Sequence, residues 1–164
     1  MLATRGIPTY ENIKTRKPPE DRLKKGPVVM IECFQKIPCN PCYTACKRGA
    51  IQKFEDINEM PQVDFDKCNA CALCVSKCPG LAIFIIDETY SEKEATVSLP
   101  FEFLPLPQEG HEVDLINRAG KKVGIGEVIK VRNTKYDDRT PVITVTVPKD
   151  LSMEVRNIRV KGEI

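Results

Sequence analysis

Cys68-Asn69-Ala70-Cys71-Ala72-Leu73-Cys74-Val75-Ser76-Lys77-Cys78-Pro79 is the stretch that decides the fold. Its spacing is C-x2-C-x2-C-x3-C-P. Two-residue gaps let successive thiolates wrap three corners of one compact iron–sulfur cluster, and the fourth cysteine turns away toward a neighbouring one. That neighbour lies upstream in Cys33-x5-Cys39-x2-Cys42-x3-Cys46. Exchanging the fourth ligands gives two sets. Cys33, Cys39, Cys42 and Cys78 are expected to bind cluster 1, and Cys68, Cys71, Cys74 and Cys46 to bind cluster 2, each a [4Fe–4S] centre. Pro79 suits the first position of a short helix after Cys78, because its ring presets φ and its missing N–H is no loss there.

Eight cysteines within 46 positions also admit disulfides or paired zinc sites. The basic N-terminus has no apolar run of a secretory signal, so metal is the better reading of so dense a set. Structural zinc favours two CxxC pairs set further apart, not a CxxCxxC run. The first set departs from the pattern, since Phe34-Gln35-Lys36-Ile37-Pro38 separates its first two cysteines. Loop length costs closure entropy only slowly, so eight ligands remain the expectation. A [3Fe–4S] cluster or a non-protein ligand is the alternative if Cys33 stays out. Lys47 stands where proline would follow Cys46, and a cation there favours the reduced cluster.

Around the cysteines the chain changes texture. Cys46-Lys47-Arg48-Gly49-Ala50-Ile51 aligns with Cys78-Pro79-Gly80-Leu81-Ala82-Ile83, an internal repeat implying pseudo-twofold symmetry. Each half reads strand, cysteine loop, short helix, strand, with strands expected at 28–32, 51–54, 63–66 and 82–86. Residues 1–27 are broken by Pro8, Pro18, Pro19, Gly26 and Pro27, leaving room for one helical turn at 20–25. From residue 95, β-branched runs at 95–99, 112–116, 123–131, 142–147 and 155–160 alternate with turns. Gly124 and Gly126 mark a bulge or sharp bend. The fold class is therefore α+β. An irregular basic arm (1–27) precedes a pseudo-twofold two-cluster module (28–90), and a small all-β barrel or sandwich (95–164) follows.

The middle module resembles the bacterial-type two-[4Fe–4S] ferredoxin family over residues 28–87. That resemblance implies two short antiparallel pairs with two helices, and one-electron transfer as the activity. More loosely, Lys25-Gly26-Pro27-Val28, Ile31-Glu32-Cys33 and Ile37-Pro38-Cys39-Asn40-Pro41-Cys42 are similar to ferredoxin-like small subunits of multi-subunit flavin dehydrogenases. This implies a place in a larger oxidoreductase complex, with FAD on a partner subunit and room for a further iron–sulfur subunit beside it.

Other functions find little support. The net charge is +2, divided as +4 over residues 1–30, −2 over 31–88 and zero thereafter. A basic arm admits nucleic acid, but an OB-like barrel needs aromatic stacking platforms, and residues 95–164 offer only Phe101, Phe103 and Tyr136. The arm reads as a solvated or partner-docked tail. His111 is the lone histidine, in a turn, and no nucleophile triad or phosphate-binding glycine loop is present, so no catalytic residue is assigned. Asp137-Asp138 reads as turn chemistry. Phe101, Phe103, Leu104 and Leu106 are read as barrel core, the alternative being a docking strip. No apolar run approaches a membrane span, and a cytoplasmic protein is expected. A diffusible ferredoxin with an accessory domain is the competing reading to a subunit.

Overall fold

Val28-Val29-Met30-Ile31 and Ile83-Phe84-Ile85-Ile86 offer solvent no polar side chain, and both runs are buried along their length. In the structure, a computed structural model that describes residues 2–160, they form strands β1 (Val28–Ile31) and β2 (Ile83–Asp87). The two pair antiparallel, with Val28 opposite Ile86 and Ile31 opposite Ile83. Side chains alternate across a strand, so this hairpin has two apolar faces. Val29, Ile31, Ile83 and Ile85 pack with Ile51, Val75, Cys42 and Cys74. Val28, Met30, Phe84 and Ile86 pack with Val97, Leu115, Val155 and Ile158. The cysteine loops cover one face and the C-terminal strands the other.

Those strands are β3 (Glu94–Pro100), β4 (Glu112–Asn117), β5 (Lys122–Arg132), β6 (Val142–Pro148) and β7 (Val155–Val160), each within a residue or so of the β-branched run that anticipates it. Their arrangement differs from the expectation of a separate barrel or sandwich. All seven strands belong to one open antiparallel sheet in the order β1-β2-β3-β6-β5-β4-β7. Strand β3 pairs directly with β2, Ile86 opposite Val97. Burying a Val, Leu or Ile side chain is worth about 1.5–3 kcal/mol, and the second face of the β1–β2 pair is buried by these strands together with Leu23 of the arm. The closed OB-like barrel on which the nucleic-acid reading stood is absent among the described residues.

Strand β5 joins the two halves of the sheet. Its first half pairs with β4 and its second with β6, with a register shift between Val128 and Lys130. Gly126 sits at this crossing. A Cβ there would collide with the Thr146 carbonyl oxygen and come within 2.9 Å of Leu115 Cδ2. Close backbone approach, more than the bulge expected from the sequence, explains this glycine. Gly126→Ala is expected to lower stability by more than about 2 kcal/mol, read from the urea midpoint of the full chain. A loss below about 0.5 kcal/mol would contradict the close crossing.

Two further expectations are corrected. The second antiparallel pair shrinks to one bridge, Ile51 with Val63, flanked by the hydrogen bonds Gln52 N–H to Gln62 O (2.9 Å) and Asp64 N–H to Ala50 O (2.7 Å). The short helices α4 (Pro41–Ala45) and α5 (Leu73–Lys77) precede the fourth cysteine of each run, so Pro79 lies in a turn, and Pro41 is the proline at a helix start.

The arm also has more structure than its prolines suggest. It forms α1 (Leu2–Arg5), α2 (Tyr10–Lys14) and α3 (Glu20–Leu23), which number as the first three helices of the chain. Thr9 and Asn12 make a reciprocal capping box at α2, each bond supplying a partner for an orphan N–H of the first turn. Leu23 is buried in the core shared with the C-terminal strands, and Ile13 packs against it. The arm is docked on its own chain. Met1 and residues 161–164 of the expected 1–27 and 95–164 segments lie outside the described residues. No helix among the described residues is long and apolar enough to cross a membrane.

Candidate metal centre

The eight cysteines divide into two groups of four, and none is in a disulfide. Cys33, Cys39, Cys42 and Cys78 line one cavity of about 260 Å³, with Ile31, Ile37 and Ala82 among its apolar walls. Cys46, Cys68, Cys71 and Cys74 line a second, tighter cleft with Val29, Ile51 and Ile85. In each case the fourth thiol comes from the other cysteine run. The electrostatics divide the same way. Cys33, Cys39 and Cys42 all feel the charge of Cys78, whereas Cys74 feels Cys68, Cys71 and Cys46 and, least, Cys42 of the other group. Cys33, beyond its five-residue loop, faces the same space as Cys39 and Cys42. Among the described residues, no group of three or more His, Cys, Asp or Glu is drawn together as a mononuclear metal site.

Local backbone geometry turns amide groups toward sulfur. Ala70 and Ala72 adopt φ of 57° and 59° inside the second run, where only glycine sits without strain. Gly49 and Leu81, equivalent positions of the internal repeat, share this conformation at φ 66° and 50°. The N–H groups of Ile51, Ala70 and Ala82 donate to the sulfurs of Cys46, Cys68 and Cys78 at 3.4, 3.4 and 3.5 Å. Donation to sulfur stabilises the thiolate over the thiol. Burial opposes it. Desolvation pushes the Cys42 thiol up to about 11, with Cys78, Cys39 and Cys33 adding repulsion and the Tyr43 N–H pulling the other way. Cys74, more deeply buried, is pushed up strongly for the same first reason. Four thiolates in so apolar a space need a cationic group among them, and a donor set made only of sulfur fits iron–sulfur chemistry.

Arginines from outside the cysteine runs hold these loops. From α3, Arg22 donates to the carbonyls of Phe65 (2.9 Å), Gly26 (3.1 Å), Pro27 (3.1 Å) and Cys68 (3.0 Å). From the end of β5, Arg132 donates to the carbonyls of Cys71 (2.8 Å) and Ala72 (2.9 Å). On the other side Glu32, the residue before Cys33, receives Arg118 through two bonds (2.8 and 2.6 Å) and Arg156 through one (2.6 Å). Burial would raise the Glu32 carboxyl, but the two guanidiniums outweigh it and hold it below the usual carboxylate range. None of these arginines stands out in the sequence, because each reaches at least one partner 43 or more positions away.

Among the other residues singled out, Asp137 makes turn bonds, accepting from the Thr134 N–H and hydroxyl, and is also buried against Arg132. Phe101 is core, but Phe103 and Leu104 are 63% and 84% exposed, which divides the apolar strip between the two readings. Lys47 is exposed beside Cys46.

Residues 61–84 match the 4Fe-4S binding domain family. Over 52 residues the chain is 40% identical to pyruvate synthase subunit PorD of Methanocaldococcus jannaschii, a stretch covering 32% of this chain and 58% of that protein. The chain thus spans little more than half the length of this curated relative. No solved structure matches. Together with the cysteine spacing, these findings make this part of the chain a 4Fe–4S segment of ferredoxin type.

Proposed function

We propose that the chain carries single electrons through two [4Fe–4S] clusters, and that it does so as a subunit of a larger oxidoreductase. The observation that carries the reading is the division of eight thiols into two cavities of four, each completed by a cysteine from the other run. Cys33, Cys39, Cys42 and Cys78 would hold cluster 1. Cys68, Cys71, Cys74 and Cys46 would hold cluster 2. A [4Fe–4S] cluster, when bound, supplies a one-electron couple whose potential follows charge, hydrogen bonds to sulfur and exposure. The chain's part is to fix the thiolates, to donate the Ile51, Ala70 and Ala82 amides to sulfur, and to keep water away from Cys42 and Cys74. Catalysis is assigned to a partner.

The subunit role draws its support from the relative, which is by name a subunit of a pyruvate synthase. A flavin-bearing partner rests only on the likeness of residues 25–42 to small subunits of flavin dehydrogenases. The packing described above removes one argument for a subunit. Arm and C-terminal strands cover the ferredoxin hairpin itself, so neither needs a partner to explain it. A diffusible carrier is therefore the second reading, and the exposed Phe103 and Leu104 are what remains of a docking strip.

Iron, acid-labile sulfide and the EPR spectrum of the reduced, anaerobically purified chain test the cluster assignment. About eight irons with interacting S = 1/2 signals are expected, and zinc without sulfide would end the proposal. Purification of the untagged protein from its source separates the roles. Stable company of larger subunits is expected, and a lone monomer at high yield would leave the diffusible reading.

A further inference from the structure

Arg132 belongs to the C-terminal strands, yet its guanidinium is spent on the second cysteine run. Nη1 and Nη2 donate to the carbonyls of Cys71 and Ala72 at 2.8 and 2.9 Å. Nε donates to Asp137 Oδ1 at 2.9 Å, and Nη2 lies 2.8 Å from the same oxygen. The carboxylate is itself fixed, because Oδ2 accepts from the Thr134 N–H (2.8 Å) and hydroxyl (2.7 Å). Asp137 is 1% exposed. This is a rigid fork of the kind only arginine makes, with one prong pair on the loop and one edge on a carboxylate. The loop it grips is the strained one: Ala72, between Cys71 and Cys74, sits at φ 59°. A non-glycine residue there is strained and persists only where its surroundings over-determine it.

From this geometry we infer that Arg132 is a positioning residue for the Cys68–Cys71–Cys74 loop and that the Arg132–Asp137 pair sets the local charge, and so the reduction potential, of the cluster held there. The inference rests on the cluster assignment proposed above. Guanidinium and carboxylate nearly cancel as a pair, and each alone acts in the opposite sense. A lone carboxylate disfavours adding an electron nearby, and a lone guanidinium favours it. Because the pair touches the second run, the effect falls on one cluster of two.

The test is an EPR-monitored redox titration of the full chain as wild type, Arg132→Gln, Asp137→Asn and the double variant. Arg132→Gln is expected to lower the reduced-to-oxidised ratio of one cluster about tenfold at fixed ambient potential, about 59 mV for a one-electron couple. Asp137→Asn is expected to raise the same cluster's ratio by a similar factor, and the double variant to return toward wild type. Arg132→Lys keeps the charge without the fork, so that cluster's potential stays near wild type while its iron is lost faster to a chelator. A merely structural role moves both single variants the same way and makes the double variant worst, and that result overturns the inference. Asp137→Asn leaves the Cys71 and Ala72 contacts intact, so an unmoved potential in it overturns the inference even if Arg132→Gln loses its cluster. Those results, in a wild-type chain holding about eight irons, leave the proposed function standing. A wild-type chain without iron and sulfide at the second set overturns both.

Discussion

The double variant Cys33→Ala/Cys78→Ala is expected to keep about half of its iron and sulfide, about four of eight irons. The two residues lie 45 positions apart in different cysteine runs, but they line the same cavity. Each single substitution is expected to empty that one site, so the second adds no further loss. Cys78→Ala/Cys46→Ala has the opposite outcome, since it takes one thiol from each cavity and leaves neither with four. An uncrossed arrangement, with each run holding its own cluster, predicts that Cys33→Ala/Cys78→Ala loses everything. Complete iron loss in that variant, with the β-sheet signal of circular dichroism unchanged, would refute the crossing. The experiment also decides the standing of Cys33. If that residue contributes no bond, Cys33→Ala alone keeps all its iron, and the five-residue loop would then shield the site without closing it.

Much of this was legible in the sequence, and what was missed has a common cause. The cysteine spacing is a local signal, since two-residue gaps dictate which sulfurs reach the same object. The strand runs from residue 95 are local too, because β-branched residues bounded by turns read the same in any context. How strands pair is not local. Nothing in the 82–100 segment says that β3 continues the β1–β2 pair. One hint was present, however, since Val28-Val29-Met30-Ile31 is apolar at every position and a strand with one wet face would alternate. The arm was read from its prolines, which correctly limit helix length but say nothing about docking through Leu23 and Arg22. Asp137 reads as turn chemistry, and its bonds to Thr134 are that, but the link through Arg132 to a loop 60 and 61 residues away has no local sign.

Glu32→Gln is expected to destabilise the fold by about 3–5 kcal/mol, the range for removing one member of a buried ionic cluster. Glu32, Arg118 and Arg156 side chains are 7%, 9% and 5% exposed. The single carboxylate compensates two guanidiniums. Its loss leaves Arg118 with Glu154 at 3.9 Å, a residue half exposed to solvent, and leaves Arg156 with backbone carbonyls, the Met30 sulfur and the Phe84 ring. Burial already pushes the Arg156 guanidinium down to about 10 against the pull of Glu32, so the deficit falls mainly there. The effect should extend to the cysteines, because Glu32 fixes the end of β1 one residue before Cys33. Anaerobic urea titration of the cluster-loaded chain measures the stability, and chelator-driven iron release measures the hold on cluster 1. The triple variant Glu32→Gln/Arg118→Met/Arg156→Met supplies the decisive comparison. If the triad stabilises through charge compensation, removing all three groups restores most of what Glu32→Gln alone loses. A triple variant no more stable than the single one would mean that the contacts of the Arg156 guanidinium with Met30 and Phe84 matter more than charge compensation, and a loss below about 1 kcal/mol in Glu32→Gln would show that the arginines reach solvent.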